Sequence, residues 1–157
     1  MKPKEIKPKI AVVCGSKSDL SVVERCTKIL DSFGITYVVK VLSAHRMPFE
    51  TQEFAVNAHK YYDLIIAGAG KAAHLPGIIA SYTVLPVIGL PIKSPTLNGL
   101  DSLLSIVQMP KGVPVATVGI DAAENAALLS CHILMLKFPY LKELIISYRK
   151  QLANESL

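Results

Sequence analysis

Short apolar runs of strand length, alternating with segments of helix length, constrain this chain more than any other feature. Lys9–Cys14 (KIAVVC) is continuous in apolar character and rich in valine, as a strand covered on both faces has to be. Thr36–Leu42, Asp63–Ala67 (DLIIA), Pro86–Leu90 (PVIGL) and Val113–Ile120 (VPVATVGI) repeat that character, which makes five strands. Between the first two, Ser18–Phe33 sets Val22, Val23, Cys26, Ile29 and Leu30 at helical spacing, and Gly34 ends the helix. Pro48 suits the first turn of a helix running to about Tyr62, and further helices are expected over Leu75–Tyr82 and Gly99–Gln108. From Ala122 the chain reads as helical, interrupted at Phe138-Pro139, with a last amphipathic helix to about Ala153.

Alternating strands and helices predict an α/β fold, a parallel sheet between two helical layers. Five strands in 157 residues suit a flavodoxin-like three-layer αβα sandwich of strand order 2-1-3-4-5, followed by C-terminal helices. In such sheets ligands bind beyond the carboxyl ends of the strands, near the reversal in strand order. Each of the first three strands runs directly into an unusual loop. These are Gly15-Ser16-Lys17-Ser18-Asp19, Ser43-Ala44-His45-Arg46-Met47-Pro48 and the stretch from Gly68 to Gly77 (GAGKAAHLPG). In the order 2-1-3 those strands are neighbours, so the three loops converge on one crevice.

The residues in the crevice point to proton transfer on a phosphorylated ligand. Gly15 permits a sharp turn, and Ser16 and Ser18 offer hydroxyls and amides at a helix N-terminus, a setting that favours phosphate. Helix capping by either serine explains the same residues equally well. Asp19 suits a first helical turn, or accepts hydrogen bonds from ribose hydroxyls. Arg46 is placed to complete a phosphate clamp by bidentate contact. His45, between alanine and arginine, is the candidate general acid or base. The third loop is built of small residues, so its amides can approach a flat ligand closely. It is not a Walker A loop, because Gly70-Lys71 is followed by alanine, and the first loop does not match GxGxxG. His59 and His132 sit in helices away from these loops and are read as exposed and packed, respectively.

Composition bounds the remaining possibilities. The formal net charge is +5, and residues 1–9 alone hold four lysines against one glutamate. Residues 1–8 are therefore expected to form a flexible basic arm ahead of a single domain spanning 9–157. No basic stripe with interleaved aromatics follows, so nucleic acid is not an expected partner. Cys14, Cys26 and Cys131 form no CxxC pair, and no His, Cys and carboxylate group has metal-ligand spacing. Neither a metal nor another cofactor is expected. With no signal-peptide core and no run of membrane-span length, the expectation is a cytoplasmic chain without membrane contact. Only 18% of residues are charged, against about 25% for average soluble chains. Burial against further copies of the chain is expected to cover the apolar excess.

Together these stretches carry a family resemblance. GSKSD at 15–19, SAHRMP at 43–48, AGAGKAAHLPG at 67–77, PVIGLPIKSPTLNGLDSLLSIVQMPKGVPVATV at 86–118 and NAALLSCHIL at 125–134 resemble the class I N5-carboxyaminoimidazole ribonucleotide mutases. That family is the catalytic subunit of phosphoribosylaminoimidazole carboxylase, and the resemblance covers about residues 9–136. It implies a homo-octamer of flavodoxin-like subunits in purine biosynthesis, with active sites at subunit boundaries. The implied enzyme is an isomerase that converts N5-carboxyaminoimidazole ribonucleotide to 4-carboxy-5-aminoimidazole ribonucleotide by decarboxylation and recarboxylation, without cofactor. By this resemblance Ser16, Ser18 and Arg46 hold the phosphate and Asp19 the ribose, with Gly15, Ser43 and Ala44 beside them. His45 is the general acid/base, with His74 the second catalytic candidate, and the amides around Gly70, Lys71 and Ala72, with His74 and Leu75, frame the imidazole and the migrating carboxylate.

Two departures stand out. The family usually carries glycine where this chain has Lys71, and the link Gly119–Glu124 is a few residues shorter than usual. If position 71 takes positive φ, lysine there is strained. Its ammonium then either helps hold a carboxylate or points to solvent. The competing readings are a class II carboxylase acting on aminoimidazole ribonucleotide, a ribonucleotide-binding protein without turnover, and a receiver or flavin protein. The first usually lacks the AAHLPG run present here, and receivers need an acidic cluster that this chain lacks.

Overall fold

The computed structural model describes residues 7–155, so of the expected basic arm residues 1–6 lie outside the described residues. Five parallel strands, β1 (Lys9–Cys14), β2 (Thr36–Val41), β3 (Leu64–Gly70), β4 (Val87–Ile92) and β5 (Ala116–Thr117), form one sheet of order β2-β1-β3-β4-β5. The helices are α1 (Leu20–Ser32), α2 (Pro48–Asn57), α3 (Leu75–Tyr82), α4 (Leu100–Val107), α5 (Ala123–Leu134) and α6 (Leu141–Glu155). This is the expected α/β sandwich, with the expected strand order.

Strand alternation divides the core into two layers, because successive side chains point to opposite faces of a sheet. Ile10, Val12, Cys14, Leu64, Ile66, Ile88, Leu90 and Ile92 pack with Val23, Cys26 and Leu30 of α1, with α5, and with Leu141 and Ile145 of α6. Ala11, Val13, Ile65, Ala67, Ala69 and Val87 face Ala55 of α2, Leu75 and Ile79 of α3, and Ile106 of α4. The second face is built of smaller residues, so its helices sit close. At Gly89 an added Cβ would lie 2.3 Å from Ile106 Cγ2 and 2.8 Å from Val115 Cγ1.

Three element boundaries differ most from expectation. The helix expected to reach about Tyr62 ends as α2 at Asn57 and gives way to a 3-10 turn over Ala58–Lys60, and two strand ends also move. Gly68-Ala69-Gly70, read from the sequence as loop, continue β3 and pair with Leu90, Pro91 and Ile92 of β4. Glycine permits the approach, since a Cβ at Gly70 would lie 3.2 Å from the carbonyl oxygen of Ile92. The fifth strand, expected over Val113–Ile120, shortens to Ala116–Thr117, which register with Ile88 and Gly89. It lies at the sheet edge, and Pro114, having no N–H, suits a segment outside the ladder. No helix among the described residues is long and apolar enough to cross a membrane.

Candidate functional site

A cleft of about 820 Å³ opens at the carboxyl ends of the strands. All thirteen residues expected at the site line it: Gly15, Ser16, Ser18 and Asp19 after β1; Ser43, Ala44, His45 and Arg46 after β2; and Gly70, Lys71, Ala72, His74 and Leu75 at the end of β3 and the start of α3. The convergence follows from the strand order, which sets β2, β1 and β3 side by side.

After β1 the chain turns over the end of β3, where the Gly15 amide donates to the Gly68 carbonyl at 3.2 Å. Ser16 is extended (φ −152°, ψ 156°), and its Oγ accepts from the Ser18 amide at 3.3 Å and the Ser18 hydroxyl at 3.0 Å. Ser16 therefore caps the short 3-10 turn Lys17–Asp19 that leads into α1, while both serines also line the cleft. The capping and ligand readings are compatible in this geometry. Arg46 spans the neighbouring loops: its Nε donates to Ser43 Oγ at 3.2 Å and its Nη2 to the Gly15 carbonyl at 3.3 Å. A guanidinium has five N–H donors, so these two bonds fix the plane and leave others for an anion.

Burial raises the Asp19 carboxyl above its ordinary pKa, and contacts with Ser18 and the backbone of Ser16 offset part of that rise. Just beneath, Cys14 is fully buried and donates its thiol to the Ser16 carbonyl at 3.4 Å. Burial, and then the Asp19 charge, push that thiol up to about 11. It is a packed thiol with no nucleophilic character at neutral pH.

Two histidines from different loops meet in the cleft. His45 Nε2 lies 2.8 Å from His74 Nδ1, with the rings edge-on at 71° and their centroids 4.9 Å apart. In a neutral pair one of these nitrogens carries the hydrogen and the other accepts it, so the two rings can pass a proton. His74 sits just ahead of α3, where Pro76 occupies the first turn and the His74 amide donates to the Ala72 carbonyl at 2.9 Å. The other two histidines lie outside the cleft. His59 bonds to the Val56 carbonyl at 3.0 Å, and His132 lies 3.4 Å from the Arg149 guanidinium of α6.

Sequence reasoning missed part of the wall. Lys93, Ser94 and Pro95 after β4, and Asp121 after β5, also line the cleft. The Lys93 amide donates to Asp121 Oδ1 at 2.8 Å, and buried Ser94 donates to Asp101 at 3.0 Å. The rule that pointed to the first three strands applied equally to Lys93-Ser94, which directly follow an apolar run. Asp121 had no such signal, because its place depends on how the link after β5 folds back. Lys71 has φ +57°, the left-handed backbone that favours glycine. No cluster of three or more metal-ligating side chains occurs among the described residues.

Residues 9–155 match the family model described as AIR carboxylase. The chain is similar to the N5-carboxyaminoimidazole ribonucleotide mutase of Pyrococcus abyssi, 56% identical over 146 residues covering 92% of this chain and 84% of the relative. With the enzyme of the same name from Pyrococcus horikoshii it shares 57% identity over 153 residues, 97% of this chain and 86% of the relative. Among solved structures, the crystal structure of Treponema denticola PurE superposes with a TM-score of 0.85 at 27% identity, covering 95% of this chain and 94% of that one.

Proposed function

The chain belongs to the AIR carboxylase family, and on that premise we propose that it converts N5-carboxyaminoimidazole ribonucleotide to 4-carboxy-5-aminoimidazole ribonucleotide, with His45 and His74 moving the protons. It is an isomerase of purine biosynthesis, a mutase acting on a ribonucleotide. The observation that carries the mechanism is the 2.8 Å contact between the two imidazoles in the cleft.

The balance of the reaction asks for such a pair. Carbon dioxide leaves the exocyclic nitrogen, which gains a proton. The same carbon dioxide then bonds to the ring carbon, which loses one. One proton enters and one leaves, so no external acid, base or redox partner is consumed. His45 serves the ring carbon, and His74, bonded to it, takes up or returns the proton between the two halves. Ser16, Ser18 and Arg46 hold the phosphate by charge-assisted bonds. Asp19 binds the ribose, and the small residues around Gly70 and Ala72 let backbone amides reach the imidazole.

Assembly as a homo-octamer in the cytoplasm belongs to the same reading. Leu100, Leu104 and Val107 on α4, with Leu97 just before it, expose about half of their surface at helical spacing, a strip that a second copy would cover. Unpaired thiols at Cys14, Cys26 and Cys131 fit a reducing compartment.

The test supplies N5-carboxyaminoimidazole ribonucleotide without ATP or metal and follows the carbon-carboxylated isomer, beside a sample given aminoimidazole ribonucleotide and bicarbonate. Isomerisation in the first sample above the uncatalysed rate is the expected result. Turnover in the second alone would reassign the chain to direct carboxylation.

A further inference from the structure

Resting on that reading, the ligand carries two anionic groups, a phosphate at one end and a migrating carboxylate near the imidazole. The cleft has a fixed cation for the first, since Arg46 is held over β1 and β2 by Ser43 and the Gly15 carbonyl. The second group has to lie beside the histidine pair, because that is where the carbon–carbon bond forms. Of the remaining cations lining the cleft, Lys71 shares its loop with His74, three residues along the chain.

We propose that Lys71 is a specificity-determining residue whose ammonium receives the migrating carboxylate, so that the cleft selects the carboxylated ribonucleotide over its decarboxylated form. Nothing else in the cleft occupies the side chain, since among the described residues Lys71 makes no ion pair or side-chain hydrogen bond. The acids of the cleft do not claim it. Asp19 contacts Ser18, and Asp121 accepts from the Lys93 amide. The backbone at Lys71 is also held left-handed, at φ +57°. A lysine there carries a strain that glycine would avoid, and strain of this kind gathers where function requires a particular side chain. The bond from Lys93 to Asp121 is made by its backbone amide and leaves the Lys93 ammonium equally unpaired among the described residues. Lys93 follows β4, one strand further from the β2 and β3 ends that carry His45 and His74, and so serves as the control position. Lys71 forms and breaks no covalent bond in this role. It lowers the free energy of the carboxylate on either atom and offers nothing to a ligand that lacks one.

The experiment is calorimetric titration of wild type, Lys71→Met, Lys71→Gly and Lys71→Arg with 4-carboxy-5-aminoimidazole ribonucleotide and, separately, with aminoimidazole ribonucleotide. The methionine and glycine variants are expected to bind the carboxylated ligand about 10-fold more weakly and the other ligand within about twofold of wild type. Arginine is expected to recover most of the loss. Because glycine removes the strain as well as the charge, agreement between the two variants separates a lost contact from a disturbed loop. Equal weakening toward both ligands, no weakening, or the same selective loss in Lys93→Met would overturn the role. A wild type that isomerises normally while Lys71→Met is unchanged sinks only this inference; a wild type that neither binds nor isomerises the carboxylated ligand sinks the functional reading itself.

Discussion

The proposed mechanism gives neighbouring residues in one loop different duties, and kinetics should separate them. His45 touches His74 at 2.8 Å, whereas Arg46 is tied to Ser43 and the Gly15 carbonyl. His45→Asn is expected to abolish turnover, lowering kcat by roughly 100-fold or more, while ligand affinity measured by calorimetry stays close to wild type. Arg46→Ala is expected chiefly to raise KM with kcat largely kept, because a phosphate contact is equal in ground and transition states. Steady-state kinetics of the two variants distinguish these patterns, and an equal loss of kcat in both would defeat the division of labour. Lys71 makes a stability prediction of its own. Since its φ is +57°, Lys71→Gly is expected to gain up to about 1 kcal/mol in urea unfolding, the strain relieved exceeding the extra freedom of the unfolded chain.

At the scale of elements, the site depends on how closely β3, β4 and α4 pack. Gly89 faces Ile106 and Val115, and a Cβ there would overlap both. Gly89→Ala is therefore expected to cost about 1–3 kcal/mol, read as a lower denaturant midpoint with the circular dichroism spectrum of the fold retained. The same packing explains which boundaries were legible. Apolar strand runs and amphipathic helices announce themselves by period, so β1, α1 and α3 lie where the pattern puts them. The end of β3 did not, because glycine and alanine in Gly68–Gly70 look like loop until the partner strand is present to pair with them. Val113–Ile120 erred in the opposite direction: valine-rich chain at a sheet edge keeps only the two residues that register with β4.

For the whole molecule, two properties follow from what is buried and what is not. Burial pushes the thiols of Cys14 and Cys131 up to about 11 and that of Cys26 up to about 12, from an ordinary 9.0. In the unfolded chain the thiols ionise near the ordinary value, so the folded state favours the protonated form. This contribution to stability is complete below pH 9.0 and is lost as pH rises through about 11 for Cys14 and Cys131 and through about 12 for Cys26. Denaturant midpoints are expected to fall across that window, and less steeply in Cys26→Ala; an identical slope in that variant would remove Cys26 from the account. The apolar strip along α4 makes the second prediction. Light scattering is expected to give eight times the 17.0 kDa chain mass, and a monomer would leave Leu100, Leu104 and Val107 uncovered, contrary to the proposed assembly.

The sequence by itself determined the layer order of this protein and the loops that meet in its cleft. Period-two and period-3.6 patterns are local, and a parallel five-stranded sheet has few ways to join them. The residue types in those loops were equally local, which is why Ser16, Asp19, His45 and Arg46 were legible as candidates before any fold was known, whereas His74 was singled out only by the family resemblance. What only the tertiary structure decided were relations between segments far apart in the chain. Those are the contact that turns His45 and His74 into a pair, the Asp121 carboxylate beneath the Lys93 amide, and the extension of β3 by glycines. Each depends on distances across the sheet, set by packing against partners that no local pattern contains.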